Sequence, residues 1–303
     1  MYDIYTYNNI FNLNISKGKA FIIELITIFI DKLNKFNIID KFPKFNDLVI
    51  KVARMTINHI SSIYSSDNYP KHDPENDNPV DATNLNLLVK LMLFLETLCN
   101  TPLSSVIVEK KFDIIQFIIL RNIDITPFEK ILFNTDAEEY VRNELDLCHA
   151  CEERLPKQKA LRLLNAMCEK IEGVFPYMVE LSIKLINKLS NVNDTSVNVT
   201  DNDIVYLFIN RTMNDTSKMH VALMILTSVS FLFPEREKIY DSFEESIDLV
   251  NHILIKINDD FLKARLCMFY AYNLDSMFHN DTEVLSKSFD DAVEFLFLCI
   301  VNN

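Results

Sequence analysis

The chain has 303 residues, 49% of them hydrophobic, which is too apolar for a disordered polymer and enough for one or two domains with a full core. Its 43 acidic against 30 basic side chains give a net charge of −13, so nucleic acid and anionic membrane are poor partners for the chain as a whole, while a basic protein is attracted. Only two glycines occur, Gly18 and Gly173. That excludes phosphate-cradling loops, dinucleotide fingerprints and nucleophile elbows, each of which needs glycine where backbone meets ligand.

Read in chain order, the pattern is helical from end to end. Residues 20–36 carry Ile22, Leu25, Ile26, Phe29, Ile30 and Leu33 on one 3.6-period stripe. Residues 45–64 follow, with Leu48, Val52, Met55, Ile60 and Ile63. The acidic stretch 65–83 has three prolines and no apolar period, and it reads as a surface loop. Helical pattern resumes over 84–99, breaks at Thr101-Pro102 and runs again over 103–120. Further helices are expected at 127–147, 157–171, 176–189, 203–211, 217–233, 235–257, 260–278 and 282–301. Pro176 and Pro234 stand where a first helical turn tolerates a missing N–H. Residues 191–202 form a second, polar linker.

Asn-Gly and Asp-Gly hairpin turns are absent, so the fold class is all-α. Helices joined in pairs of about 40 to 50 residues match the unit of HEAT-type solenoids, in which each pair buries its apolar face only against neighbouring pairs. The expectation is one α-α superhelix over residues 1–303, built of about six antiparallel pairs. A compact helical bundle is the alternative. No charge-free apolar run approaches the roughly 18 residues that span a bilayer, so no membrane insertion is expected. The start of the chain lacks a basic segment and a small-residue cleavage site, which argues against a signal peptide. The sequons at Asn14, Asn193, Asn198, Asn210, Asn214 and Asn280 are then ordinary products of an Asn-rich chain.

Cys148-His149-Ala150-Cys151 invites a metal or dithiol reading. A structural zinc site wants a second close pair of ligands, and Cys99, Cys168, Cys267 and Cys299 are each isolated in apolar helical pattern. Cys148 and Cys151 therefore read as small buried hydrophobes. His59, His220 and His252 have no adjacent acid or nucleophile, and His72 and His279 read as solvated. The sequence points to neither an enzyme nor a bound cofactor. Asp136, Glu138, Glu139, Glu144, Glu152 and Glu153 form an acidic cluster, a candidate contact for a basic partner, with a solvated helix face as the plainer reading.

Residues 112–146 resemble the middle of the importin-β superfamily of nuclear transport receptors, closest to the branch of importins seven and eight, with the importin-α export receptor nearby. The matching residues are Ile114, Ile115 and Gln116, then Asp136, Glu139, Tyr140, Val141, Arg142 and Asp146. Val141 stands where the family usually has Ile. The acidic loop 73–81 is similar to a loop of that branch. Lys263, Ala264, Arg265 and Cys267 resemble a later helix, with Lys263 for an Arg and Leu266 for an Ala.

The resemblance implies a HEAT solenoid that binds basic cargo proteins and Phe-Gly nucleoporins, and Ran-GTP where the full arch is present. It also implies shuttling between nucleus and cytoplasm. Members are far longer and begin with a Ran-gripping lobe not recognisable in residues 1–45, so the chain reads as a central segment or a reduced protein. The alternative is a HEAT-repeat interaction scaffold with no part in nuclear transport.

Overall fold

The computed structural model describes residues 13–64, 79–146, 156–190, 200, 202–230, 232 and 259–277. Among them every regular element is helical and no strand occurs, so the protein is all-α. The helices are α1 (Leu13–Lys35), α2 (Pro43–Tyr64), α3 (Pro79–Cys99), α4 (Ser105–Asp113), α5 (Leu120–Ile123), α6 (Pro127–Thr135) and α7 (Ala137–Asp146). They continue as α8 (Pro156–Lys170), α9 (Val174–Ser190), α10 (Ile204–Thr212), α11 (Asp215–Val229) and α12 (Asp260–Met277). Short 3-10 turns, Ile39–Lys41 and Pro102–Ser104, precede α2 and α4. The chain divides into two compact units, Met1–Glu172 and Gly173–Asn303.

Scarce glycine shapes the turns. Asn37 takes the left-handed conformation that ends α1, at φ 52°. The Ile38 N–H bonds Leu33 O at 3.0 Å and the Asn37 N–H bonds Asn34 O at 2.9 Å, the paired closure of a Schellman motif. Gly173 does the corresponding work between α8 and α9, at φ +79°. A β-carbon there would meet nothing within 4 Å, so the requirement for glycine is one of backbone conformation and not of space. At helix starts polar side chains substitute for missing backbone partners. Asp203 Oδ1 accepts from Val205 and Tyr206 N–H, and Asn214 Oδ1 accepts from Ser217 N–H.

In the first unit α1 lies along α3, and α3 along α8. On the other side of this row α2 packs on α4 and on the π-helical segment Ile114–Ile119. Ile23 and Ile30 of α1, with Met92, Phe94 and Leu95 of α3, have no exposed surface. Each such side chain contributes about 1.5–3 kcal/mol by leaving water. The ion pair between Lys90 and Glu24 across α1 and α3 is 2.7 Å long but partly exposed on both sides. An exposed pair of this kind gives about 0–1 kcal/mol, so apolar burial decides the packing.

Ile114–Ile119 is a wider, π-helical turn, closed by Leu120 N–H on Ile115 O. Ile114, Ile115, Ile118 and Ile119 of this turn are all buried, and the segment packs on α2 and α8. In the second unit α9 lies on α11, and α11 on α12. α11 is buried nearly all round, from Met219 through Leu226.

Several expectations shift at element ends. Pro79 to Thr83 open α3 and are not loop, while 65–78 lie outside the described residues, as do 191–199 of the second linker. The helix expected over 103–120 reaches Ile123. The one expected over 127–147 breaks at Asp136. Within α1 the expected core stripe is partly wrong: Phe29 is 58% exposed, whereas Ile23 is fully buried. Leu48 on α2 likewise faces out. The helices expected at 235–257 and 282–301 lie outside the described residues.

Candidate functional site

The acidic candidates cluster where α6 gives way to α7. α6 opens with a capping box: Thr126 Oγ1 accepts from the Glu129 N–H at 3.1 Å, and Glu129 Oε2 accepts from the Thr126 N–H at 2.7 Å. The other Glu129 oxygen, Oε1, accepts from Lys157 Nζ at the start of α8. α6 ends after Thr135, where Asp136 leaves helical geometry at φ −149°, ψ 81°. Its N–H bonds Leu132 O at 2.7 Å and its carbonyl accepts from the Tyr140 N–H at 3.0 Å. Its side-chain Oδ1 accepts from the Glu139 N–H at 2.9 Å. Asp136 is thus the cap that restarts the chain as α7.

Glu138 and Glu139 follow in the first turn of α7, where the positive end of the helix dipole favours carboxylates. Asp136 and Glu138 are exposed, and Glu139 is half-buried. Tyr140, one residue on, is 1% exposed and meets the Phe133 ring edge-on at 5.4 Å. This contact ties α7 back onto α6 and fixes which way the acidic turn faces. Three of the six acidic candidates therefore share one turn. Glu144 belongs to α7 by its backbone, and Glu152 and Glu153 lie outside the described residues.

The residues that carried the family resemblance divide between interior and surface, with Asp136 exposed and Glu139, Val141, Lys263 and Ala264 half-buried. Ile114, Ile115, Gln116 and Tyr140 are buried, and Arg265 of α12 is 5% exposed. Cys267 is a half-buried thiol outside any disulfide on the same helix. The buried positions hold helices together.

Cys99 and Cys168 are buried thiols outside any disulfide. Burial, with Glu96 nearby, pushes the Cys99 thiol up to about 12, so the reactive thiolate is suppressed. Burial also raises the Tyr177 hydroxyl, and its hydrogen bond to Asp203 at 2.8 Å adds to the shift. Tyr177 therefore stays a donor that ties α9 to the cap of α10. His220 is fully buried on α11 beside Phe261, at 5.6 Å between ring centres. Among the described residues no three His, Cys, Asp or Glu side chains gather as a metal site would require. Cys148, Cys151, Cys299, His72, His252 and His279 lie outside those residues.

Sequence reasoning missed one feature altogether. The outward face of α1 and the turn after it expose Phe21, Ile28, Phe29, Phe36 and Phe42. The available signal was the width of the apolar arc of α1, which runs from Ile28 and Phe21 round to Ile30 and Ile23, more than a helix with one buried face needs. Comparison with protein-family models, curated proteins and solved structures finds no match.

Proposed function

We propose that this chain is a solenoid-type scaffold of stacked helix pairs whose work is to hold a protein partner. The observation that supports it most is the packing of alternate helices: α1 on α3 and α2 on α4 in the first unit, α9 on α11 in the second. Helices that pack on the next but one are what successive hairpin pairs produce when laid side by side, and such stacks present long faces to partners. The acidic turn of Asp136, Glu138 and Glu139 is the proposed contact for a basic partner, in a chain of net charge −13.

A finer reading makes the scaffold a segment of a nuclear transport receptor that shuttles between nucleus and cytoplasm. It rests on the resemblance carried by Ile114, Ile115, Gln116, Asp136, Tyr140 and Arg142. Because the described side chains among these are largely internal, they speak for shared architecture more than for shared partners. Basic cargo, Phe-Gly nucleoporins and Ran-GTP would be its ligands.

The two readings part in one experiment. The immobilised full chain is offered a histone-like basic protein and, separately, Ran locked with GTP, at about 0.05 and 0.3 M salt. Both readings expect the basic protein to bind and to weaken with salt, and the double variant Glu138→Lys/Glu139→Lys to bind at least tenfold less, about 1.4 kcal/mol. Only the receptor reading expects retention of Ran-GTP over Ran-GDP. Equal binding of the basic protein by the wild type and a normally folded double variant would remove the acidic turn as its contact.

A further inference from the structure

The outer face of α1 is a strip of apolar side chains in an acidic protein. At about 100° per residue, Phe21, Leu25, Ile28 and Phe29 fall on one side of the helix, away from the buried Ile23, Ile26 and Ile30, with the buried Ile22 at the border. Phe21 is 61% exposed, Ile28 51% and Phe36, just past the helix end, 67%. Phe42 and Leu48 extend the strip onto the next turn and α2, and the rings of Phe29 and Phe45 bridge the two helices at 6.5 Å. Side chains this exposed project as separate knobs; they do not line a groove.

The charges around the strip decide what fits it. Lys17, Lys32, Lys35, Lys41 and Lys44 are all exposed, and none forms an ion pair among the described residues. The exposed carboxylates over the same stretch are three, Asp31, Asp40 and Asp47, with Asp31 about a quarter turn from the strip's centre. Glu24 is engaged by Lys90. The face is therefore locally basic although the whole chain is at −13. Carboxylates more than about 8 Å away are largely screened at physiological salt, so the local balance governs a contact made here.

Two copies placed face to face do not satisfy this pattern. Twofold antiparallel pairing centred on Leu25 sets Lys17 of one copy against Lys32 and Lys35 of the other. The apolar seam is also only about two turns long before Lys32 interrupts it, too short for a coiled coil.

We infer that the face formed by α1 and the following turn is a docking surface for an anionic lipid bilayer. Projecting phenylalanines enter the boundary between headgroups and acyl chains, which is soft enough to take knobs. The lysines lay their methylene stems along the same boundary and meet the lipid phosphates. The attachment is peripheral: among the described residues no single helix is long and apolar enough to cross a membrane. It does not depend on the reading of the acidic turn of α7. Its effect would be to fix a protein-holding scaffold at a surface.

The test uses the full chain and vesicles of phosphatidylcholine with or without about one third phosphatidylserine, at physiological salt. Sedimentation with the serine-containing vesicles is expected, at least tenfold weaker on phosphatidylcholine alone. Lys32→Glu/Lys35→Glu and Phe21→Ser/Phe29→Ser should each lose at least tenfold in binding while keeping the wild-type circular dichroism. A second measurement stands even if those variants fold poorly. The chain has no tryptophan, so Phe29→Trp is a sole reporter, and its emission should shift to the blue on anionic vesicles. Absence of that shift, or vesicle binding indifferent to both double variants, overturns the inference. So does a concentration-dependent dimer that Phe21→Ser/Phe29→Ser abolishes in a chain that ignores vesicles.

Discussion

α1 and α11 are both rich in apolar residues and end in opposite situations. α11 is apolar on nearly every side, whereas α1 has a polar side, from Lys17 through Glu24 and Asp31 to Lys35, and an apolar arc wider than one buried face needs. α11 is held by α9 and by α12, and Met219, His220, Val221, Ala222, Leu223, Ile225 and Leu226 have almost no exposed surface. Among the described residues α1 packs chiefly on α3, so its inner isoleucines are buried while Phe21, Ile28 and Phe29 face out, with the ring of Phe45 at the edge of Phe29. An apolar arc wider than one buried face therefore means that partners are called for on more than one side. They do not say where those partners come from. In α11 the chain supplies them; in α1 the described residues do not.

This difference can be broken by matched truncations. Leu223→Ala in α11 removes a fully buried side chain and leaves a cavity, at a cost of about 2–5 kcal/mol in unfolding free energy. Phe29→Ser on the open face of α1 removes a larger side chain yet should shift stability by no more than about 0.5 kcal/mol. Urea unfolding of the two variants measures both. Comparable losses would mean that the outer face of α1 is packed.

A smaller effect tests the acidic turn. Asp136→Ala takes away the oxygen that caps the Glu139 N–H and should cost about 1 kcal/mol. Asp136→Asn keeps the cap without the charge, so most of the stability should return while any attraction for a basic partner falls. If both variants are equally stable, the cap is not contributing, and the restart of the chain at α7 is held by Tyr140 against Phe133 alone.

How much was legible beforehand follows from the same physics. The helical class was readable because two glycines leave no hairpin turns, and helix starts near Pro127, Asp203 and Asn214 carry the polar or proline residues that starts need, whereas the start at Pro79 was read as loop. The break at Asp136 was not, since neither Gly nor Pro marks it and the apolar pattern runs on from Ile131 to Tyr140. The π-helical turn was hidden because Ile114, Ile115, Ile118 and Ile119 are apolar in either register. The acidity of Asp136, Glu138 and Glu139 was plain, but the capping role of Asp136 appears only once the break is known. Phe29 was placed on the wrong side because the apolar arc of α1 is wide enough to hold both Phe29 and Ile23, so its inner half is not marked by pattern alone.

The measurement that bears most directly on the account is acrylamide quenching of the Phe29→Trp chain in buffer without lipid, with Phe269→Trp on α12 as the buried reference. Phe269 is 1% exposed, against 58% for Phe29. An open α1 face predicts that the indole of the Phe29→Trp chain emits as a water-exposed group and is quenched several times more strongly than that of the Phe269→Trp chain. Equal blue shift and equal protection in the two variants would contradict it, since the face would then be covered before any partner arrives.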